Sequence, residues 1–206
     1  MAKLNHFTKF DGLKMILENG LRFSDFSNWE DINDQKLMTL YKDAKGYKTL
    51  LAVCFCLSSE TIYHWMYFDA DCCIQFNRYK LLQKVKDIYE CVYGDVSYYT
   101  LRELNSTNVI VEDLPFLKRV PFRIEEEFRI LYQSYESKEE YTIKDVIPLI
   151  DKITLRTKTE KEFEYKKKEL EKLFPEMKNR QIVINRSTLL KNDEWINKAN
   201  DIVKKN

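Results

Sequence analysis

The chain has 206 residues, 44% of them hydrophobic and 33% charged, with only four glycines and four prolines. A domain of this length hides roughly 70% of the surface that its unfolded form exposes. One domain over 1–206 is therefore expected, without repeats, linkers or disordered tracts. Thirty-four Lys and Arg against thirty-three Asp and Glu leave a net charge of +1, so nucleic acid is a partner that the charge does not advertise.

No run approaches the roughly 18 apolar residues of a membrane span, and the N-terminus has no apolar signal core. A cytoplasmic chain with no membrane partner is the expectation. The five cysteines, Cys54, Cys56, Cys72, Cys73 and Cys91, lack paired C-x-x-C spacing. They read as reduced, mostly buried thiols, and no metal is expected.

In chain order, Lys3 to Thr8 reads as a short strand. A helix follows with Phe10, Leu13, Ile16 and Leu17 at helical spacing, ended by Asn19 and Gly20. Leu21 to Ser24 is a second strand. The polar run from Ser27 to Asp34 reads as a loop that brings Asn33 and Asp34 beside the first strand, provided that the two strands pair. Thr49 to Leu57 is an apolar central strand. Ser58 or Ser59 caps a helix through Trp65, and Cys72 to Phe76 is again a strand. A helix at 78–86 and a strand from Ile88 to Tyr93 come next, while 94–112 gives no clear element.

From Glu125 a period of two puts Glu125, Glu127 and Arg129 on one face of a strand. A strand from Ile147 to Leu155, a charged helix over 158–174, a strand from Gln181 to Asn185 and a helix over 192–204 complete the chain. The fold class is α+β, a mixed β-sheet core with flanking helices. Neither G-x-x-x-x-G-K-S/T nor G-x-G-x-x-G occurs, which speaks against Walker-type hydrolysis and Rossmann dehydrogenation.

Two histidines are present. Alternation places His6 with Leu4 and Thr8, where its ring either meets a ribose hydroxyl or packs against a backbone carbonyl. His64, beside Trp65, reads as packed. Glu125 and Glu127 with Arg129 can stabilise an electron-poor sugar carbon, or they can be the charged alternation of a solvated edge strand. Tyr63, Trp65, Tyr67 and Phe68 form an aromatic group suited either to stacking on a planar ring or to the core. The 152–172 charge run reads as a solvated helix face.

Three blocks carry a resemblance. They are His6-Phe7-Thr8 with Ile16 to Ser24 and Asn33-Asp34; Cys54-Phe55-Cys56 with Trp65 to Phe68 and Cys73 to Phe76; and Lys118, Phe122, Glu125, Glu127 and Arg129. Together they resemble the bacterial domain-of-unknown-function family twenty-nine seventy-one over about 3–190. The chain departs from that pattern at Gln35 and Lys36, where the family often has an acid, and at Asp71 or Cys72, where it has a Gly.

More loosely, the chain is similar to the ADP-ribosyltransferase superfamily. That likeness implies an ADP-ribosyltransferase-like fold, NAD as substrate and a macromolecular acceptor, in a bacterial setting such as phage defence. It implies Glu127, Glu125 and His6 as catalytic residues, with His6, Thr8, Asn33, Asp34, Tyr63, Trp65, Tyr67 and Arg129 binding the dinucleotide. The function so implied is ADP-ribosyl transfer or NAD hydrolysis. The alternatives are a non-catalytic module that binds a nucleotide or a protein in the same cleft, and a nucleic-acid-processing enzyme.

Overall fold

The computed structural model describes residues 3–205, so residues 1, 2 and 206 of the expected domain lie outside the described residues. The chain opens with β1 (Lys3–Thr8), α1 (Phe10–Asn19) and β2 (Leu21–Phe23). Gly20 ends α1 with φ 99°, and a Cβ there would stand 2.3 Å from the Ile143 carbonyl oxygen. Only glycine satisfies both the backbone angle and that close approach.

A 3-10 turn (Phe26–Asn28) then leads into α2 (Ile32–Lys45). The expected loop therefore ends at Asp31, which caps α2 by accepting from the Asn33 N–H. Next come β3 (Thr49–Cys56), α3 (Ile62–Tyr67), β4 (Cys72–Asn77), α4 (Arg78–Lys86) and β5 (Cys91–Asp95). Thr61, rather than Ser58 or Ser59, caps α3, in a reciprocal box with His64. The strand expected from Ile88 starts instead at Cys91.

The unread stretch folds as β6 (Ser97–Tyr99), α5 (Leu101–Ser106) and a 3-10 turn (Val111–Phe116). After it come β7 (Leu117–Arg119), a second 3-10 turn (Val120–Glu125), β8 (Glu127–Ser134) and β9 (Tyr141–Ile143). A third 3-10 turn (Ile147–Leu149) precedes β10 (Ile150–Leu155), which starts three residues later than expected. The chain closes with α6 (Glu160–Leu173), α7 (Glu176–Asn179), β11 (Val183–Arg186) and α8 (Asp193–Lys205).

The main sheet has seven strands in the order β11-β10-β4-β1-β3-β8-β5. It is antiparallel except for the β10–β11 pair, which makes it mixed. β1 and β2 do not pair; β2 pairs with β9 in a separate ribbon. The expected α+β class holds, and among the described residues no helix is long and apolar enough to cross a membrane.

Alternation gives the sheet two unlike faces. On one, Leu4, Leu51, Val53, Phe55, Phe128, Ile130 and Ile153 pack with side chains from α1, α4 and α6 into the main core. The other carries two smaller apolar patches. Phe26, Met38 and Tyr41 cover Leu50, Ala52 and Leu131, and Trp65 and Ala70 cover Cys73. Cys54, Cys56, Glu127 and Arg129 share that second face by register. There the sheet carries its buried charges.

Candidate functional site

The site begins as a break in the sheet. β3 runs eight residues, yet β1 is in register with it only at Asn5↔Cys56, and the same edge of β3 meets the second ribbon at Ser24↔Ala52. Ala52 exchanges both backbone bonds with Ser24, so the period of two sends the Cys54 N–H and C=O to that edge as well. Between these two contacts lies a cavity of about 800 Å³, lined by residues of β1, α1, β2, β3, β8 and β9.

His6 projects into this gap. Its Nδ1 lies 3.0 Å from the Cys54 carbonyl oxygen. A carbonyl only accepts, so Nδ1 carries the hydrogen and Nε2 is left as an acceptor. Loss of water around the half-buried ring pulls its pKa below the ordinary histidine value, against the opposing hydrogen bond to Cys54. The imidazole is therefore neutral near neutral pH.

On the second face five charged groups converge. Arg129, fully buried, grips Asp34 with two bonds of 2.8 and 2.6 Å, reaches Glu127 Oε2 at 2.7 Å and donates to the Pro115 carbonyl at 2.8 Å. The Trp29 ring lies against the guanidinium, 4.8 Å from its centroid. Lys118 Nζ donates to Glu125 Oε2 at 2.6 Å and stands 3.5 Å from Asp34 and 3.8 Å from Glu127. The Tyr63 hydroxyl approaches Glu125 Oε1 at 3.3 Å. Three carboxyl groups thus face two cations in a region almost closed to water.

The backbone holds the two glutamates differently. Glu125 ends a 3-10 turn, and Glu126 has φ 41°, so β8 begins only at Glu127. The expected strand through Glu125 is corrected to a left-handed corner. The Leu57 N–H donates to the Glu126 carbonyl, the Val96 N–H to the Glu127 carbonyl, and the Glu127 N–H to the Tyr98 hydroxyl. These three bonds fix the corner and aim both carboxyl groups into one cavity.

Their environments push the two acids apart. Burial would raise Glu127, but the Arg129 guanidinium, Lys118 and the Cys54 thiol more than reverse it and hold the carboxyl below its ordinary range. Burial prevails at Glu125, where Lys118 only partly offsets it, and that pKa is raised. Two carboxyls separated in this way can take different roles. Burial also pushes the Cys54 and Cys56 thiols up, Glu127 adding to it, which keeps them protonated and unreactive.

Of the expected site residues, His6, Asp34, Tyr67, Glu125, Glu127 and Arg129 line this one cavity. Tyr63 acts from behind, through Glu125, and stacks on Tyr67 with centroids 4.9 Å apart. Trp65 is placed differently: it is 1% exposed, packed in the core with Phe7 and Cys73, and its Nε1 donates to Glu60. Thr8 does not line the cavity either; its Oγ1 lies against Gly12. Asn33 is exposed on α2, where its side chain donates to the capping Asp31.

Lys118, Cys54 and Trp29 belong to the site without having been assigned a role from the sequence. Lys118 stood in the Glu-x-Glu-x-Arg block, and a lysine beside two acids is the signal it offered. Among the described residues no group of three or more His, Cys, Asp or Glu is arranged to hold a metal ion. No family model matches the chain, and no curated protein or solved structure matches it.

Proposed function

We propose that the chain, as a member of the family it resembles and with an ADP-ribosyltransferase-like fold, cleaves the bond between nicotinamide and ribose in NAD. The product is either transferred to an acceptor or hydrolysed. The observation that carries this reading is the meeting of Glu127, Glu125 and a neutral His6 in one cavity of about 800 Å³, a size suited to a nucleotide-class ligand. With all its groups ionised the cluster holds one more carboxylate than cation, which favours a cationic pyridinium ring at that end.

In the proposed step the C1′–N1 bond breaks and its electron pair leaves with nicotinamide. The sugar carbon becomes oxocarbenium-like, and the fixed Glu127 carboxylate lowers the energy of that charge. His6 Nε2 accepts from a ribose hydroxyl. The oxygen of water or of an acceptor hydroxyl then adds to C1′ and gives its proton to ionised Glu125, whose raised pKa suits it to act as a base near neutral pH. Tyr67 and Phe68, each more than a third exposed at the cavity, offer aromatic surface to the departing ring.

Free nicotinamide released from NAD by the purified protein tests this, with wild type beside Glu127→Gln and with bacterial lysate as optional acceptor. The expected loss in the variant is on the order of 100-fold or more. A lysate requirement marks transfer, and its absence marks hydrolysis. No release by wild type removes the enzymatic reading. It would favour a binding module instead, a reading that draws on every carboxyl of the cluster already having a partner. The nucleic-acid alternative draws less support, since a net charge of +1 lacks the basic footprint that a long phosphate backbone attracts.

A further inference from the structure

We infer that the β2–β9 ribbon is a phosphate-binding wall of this cleft, in which Arg22, Thr142 and Lys144 take the phosphates of a nucleotide whose sugar end lies at Glu127. The identity of that nucleotide rests on the reading above; the anion site rests on the ribbon itself. Leu21 pairs with Ile143 and Arg22 with Thr142. Leu21 and Ile143 are buried in the main core, so alternation turns Arg22, Thr142 and the flanking Glu140 and Lys144 outward, and all four line the cavity.

None of the three donors is used by the proposed bond cleavage. The Arg22 guanidinium makes no hydrogen bond to protein among the described residues. Its ion-pair neighbour is Glu140, whose Oε2 is 3.7 Å from Nε, with side-chain exposures of 64% and 67%. A carboxylate already stands loosely where an anion would be held, and a pair so exposed is weak. Lys144 Nζ donates to the carbonyl of Asn19, the last residue of α1, at 2.8 Å. One hydrogen of the ammonium anchors it, and two remain for a ligand.

A guanidinium fork, an ammonium and a hydroxyl on one wall match the several acceptor oxygens of a phosphate better than a single carboxylate. Position supports the same ligand reaching both ends. The antiparallel bridge Ser24↔Ala52, continued by two residues, sets Arg22 at the level of Cys54, whose thiol hydrogen-bonds Glu127. Gly20, whose missing Cβ admits the Ile143 carbonyl, keeps the ribbon against the end of α1.

Calorimetric binding of ADP and of adenosine to the full chain tests the wall without requiring turnover. ADP is expected to bind wild type at least about 10-fold more tightly than adenosine, and Arg22→Gln with Lys144→Gln to weaken ADP about 10- to 100-fold while leaving adenosine unchanged. Glu140→Gln, which removes the competing carboxylate, is expected to tighten ADP. Equal binding of ADP and adenosine, no binding of either, or unchanged ADP affinity in the double variant overturns the inference. Nicotinamide release with an unchanged KM for NAD in the double variant overturns the wall and leaves bond cleavage standing. The ADP pattern without nicotinamide release keeps the wall and removes the cleavage reading. All three substituted side chains are exposed, so a melting temperature matching wild type separates binding loss from unfolding.

Discussion

The two faces of β3 and β8 are made by alternate residues of the same strands. Val53, Phe55, Phe128 and Ile130 put only carbon toward the main core, while Cys54, Cys56, Glu127 and Arg129, one residue along, hold a buried guanidinium and carboxylate. The first face is what hydrophobic burial builds, at roughly 25 cal/mol for each Å² of apolar surface removed from water. The second is not, because bringing paired charges out of water often costs as much as their attraction returns. Burial alone therefore does not account for the charges of the second face.

The largest expected effect comes from breaking the charged face on one side only. Arg129→Met leaves Asp34 and Glu127 buried without their shared cation, and unfolding in urea is expected to show a loss of about 3–5 kcal/mol. That matches the cost of about 3–5 kcal/mol expected for Phe128→Ala on the apolar face. The two variants part in activity: Phe128→Ala retains nicotinamide release per folded molecule, and Arg129→Met does not. Equal retention in both would erase the distinction between the faces.

A smaller effect lies in pH. Glu125 has a raised pKa in the folded state, so its contribution to stability is present below the unfolded carboxylate value and is lost as pH rises through the folded one. Glu127 has a lowered pKa, and its contribution is present above the unfolded value and lost as pH falls. Lys118→Met removes the cation that restrains Glu125. The ascending limb of the rate against pH is therefore expected to move to higher pH, with Lys118→Arg restoring it. A limb unmoved by Lys118→Met would take the proton-accepting role away from Glu125.

Much of the scaffold is legible in the sequence where a period runs long enough. β3, α4 and α6 stand close to where their apolar spacing puts them, and the period of two sets Glu127 and Arg129 on one face. α2 is hidden because its inward stripe, Asp34, Met38 and Tyr41, begins with an acid whose partner lies 95 positions away. Asp31 as cap and Gly46 as stop were its local signals. The Glu126 corner is hidden because a left-handed glutamate is held by distant groups, the backbone N–H of Leu57 and of Val96 and the hydroxyl of Tyr98. The inward turn of Trp65 is hidden because an aromatic run does not say which of its rings packs in the core. The cavity itself depends on β1 and β2 sharing one edge of β3, a tertiary fact with no local trace.

The most direct measurement is urea unfolding of the triple variant Asp34→Leu, Glu127→Met and Arg129→Met, which removes three of the five charges together and leaves the other two, Lys118 and Glu125, paired with each other. Stability equal to wild type, or higher by about 1–4 kcal/mol, with nicotinamide release lost, is the expected result and would mark the cluster as kept for chemistry. A fall of several kcal/mol would contradict it and make the cluster a structural element of the fold.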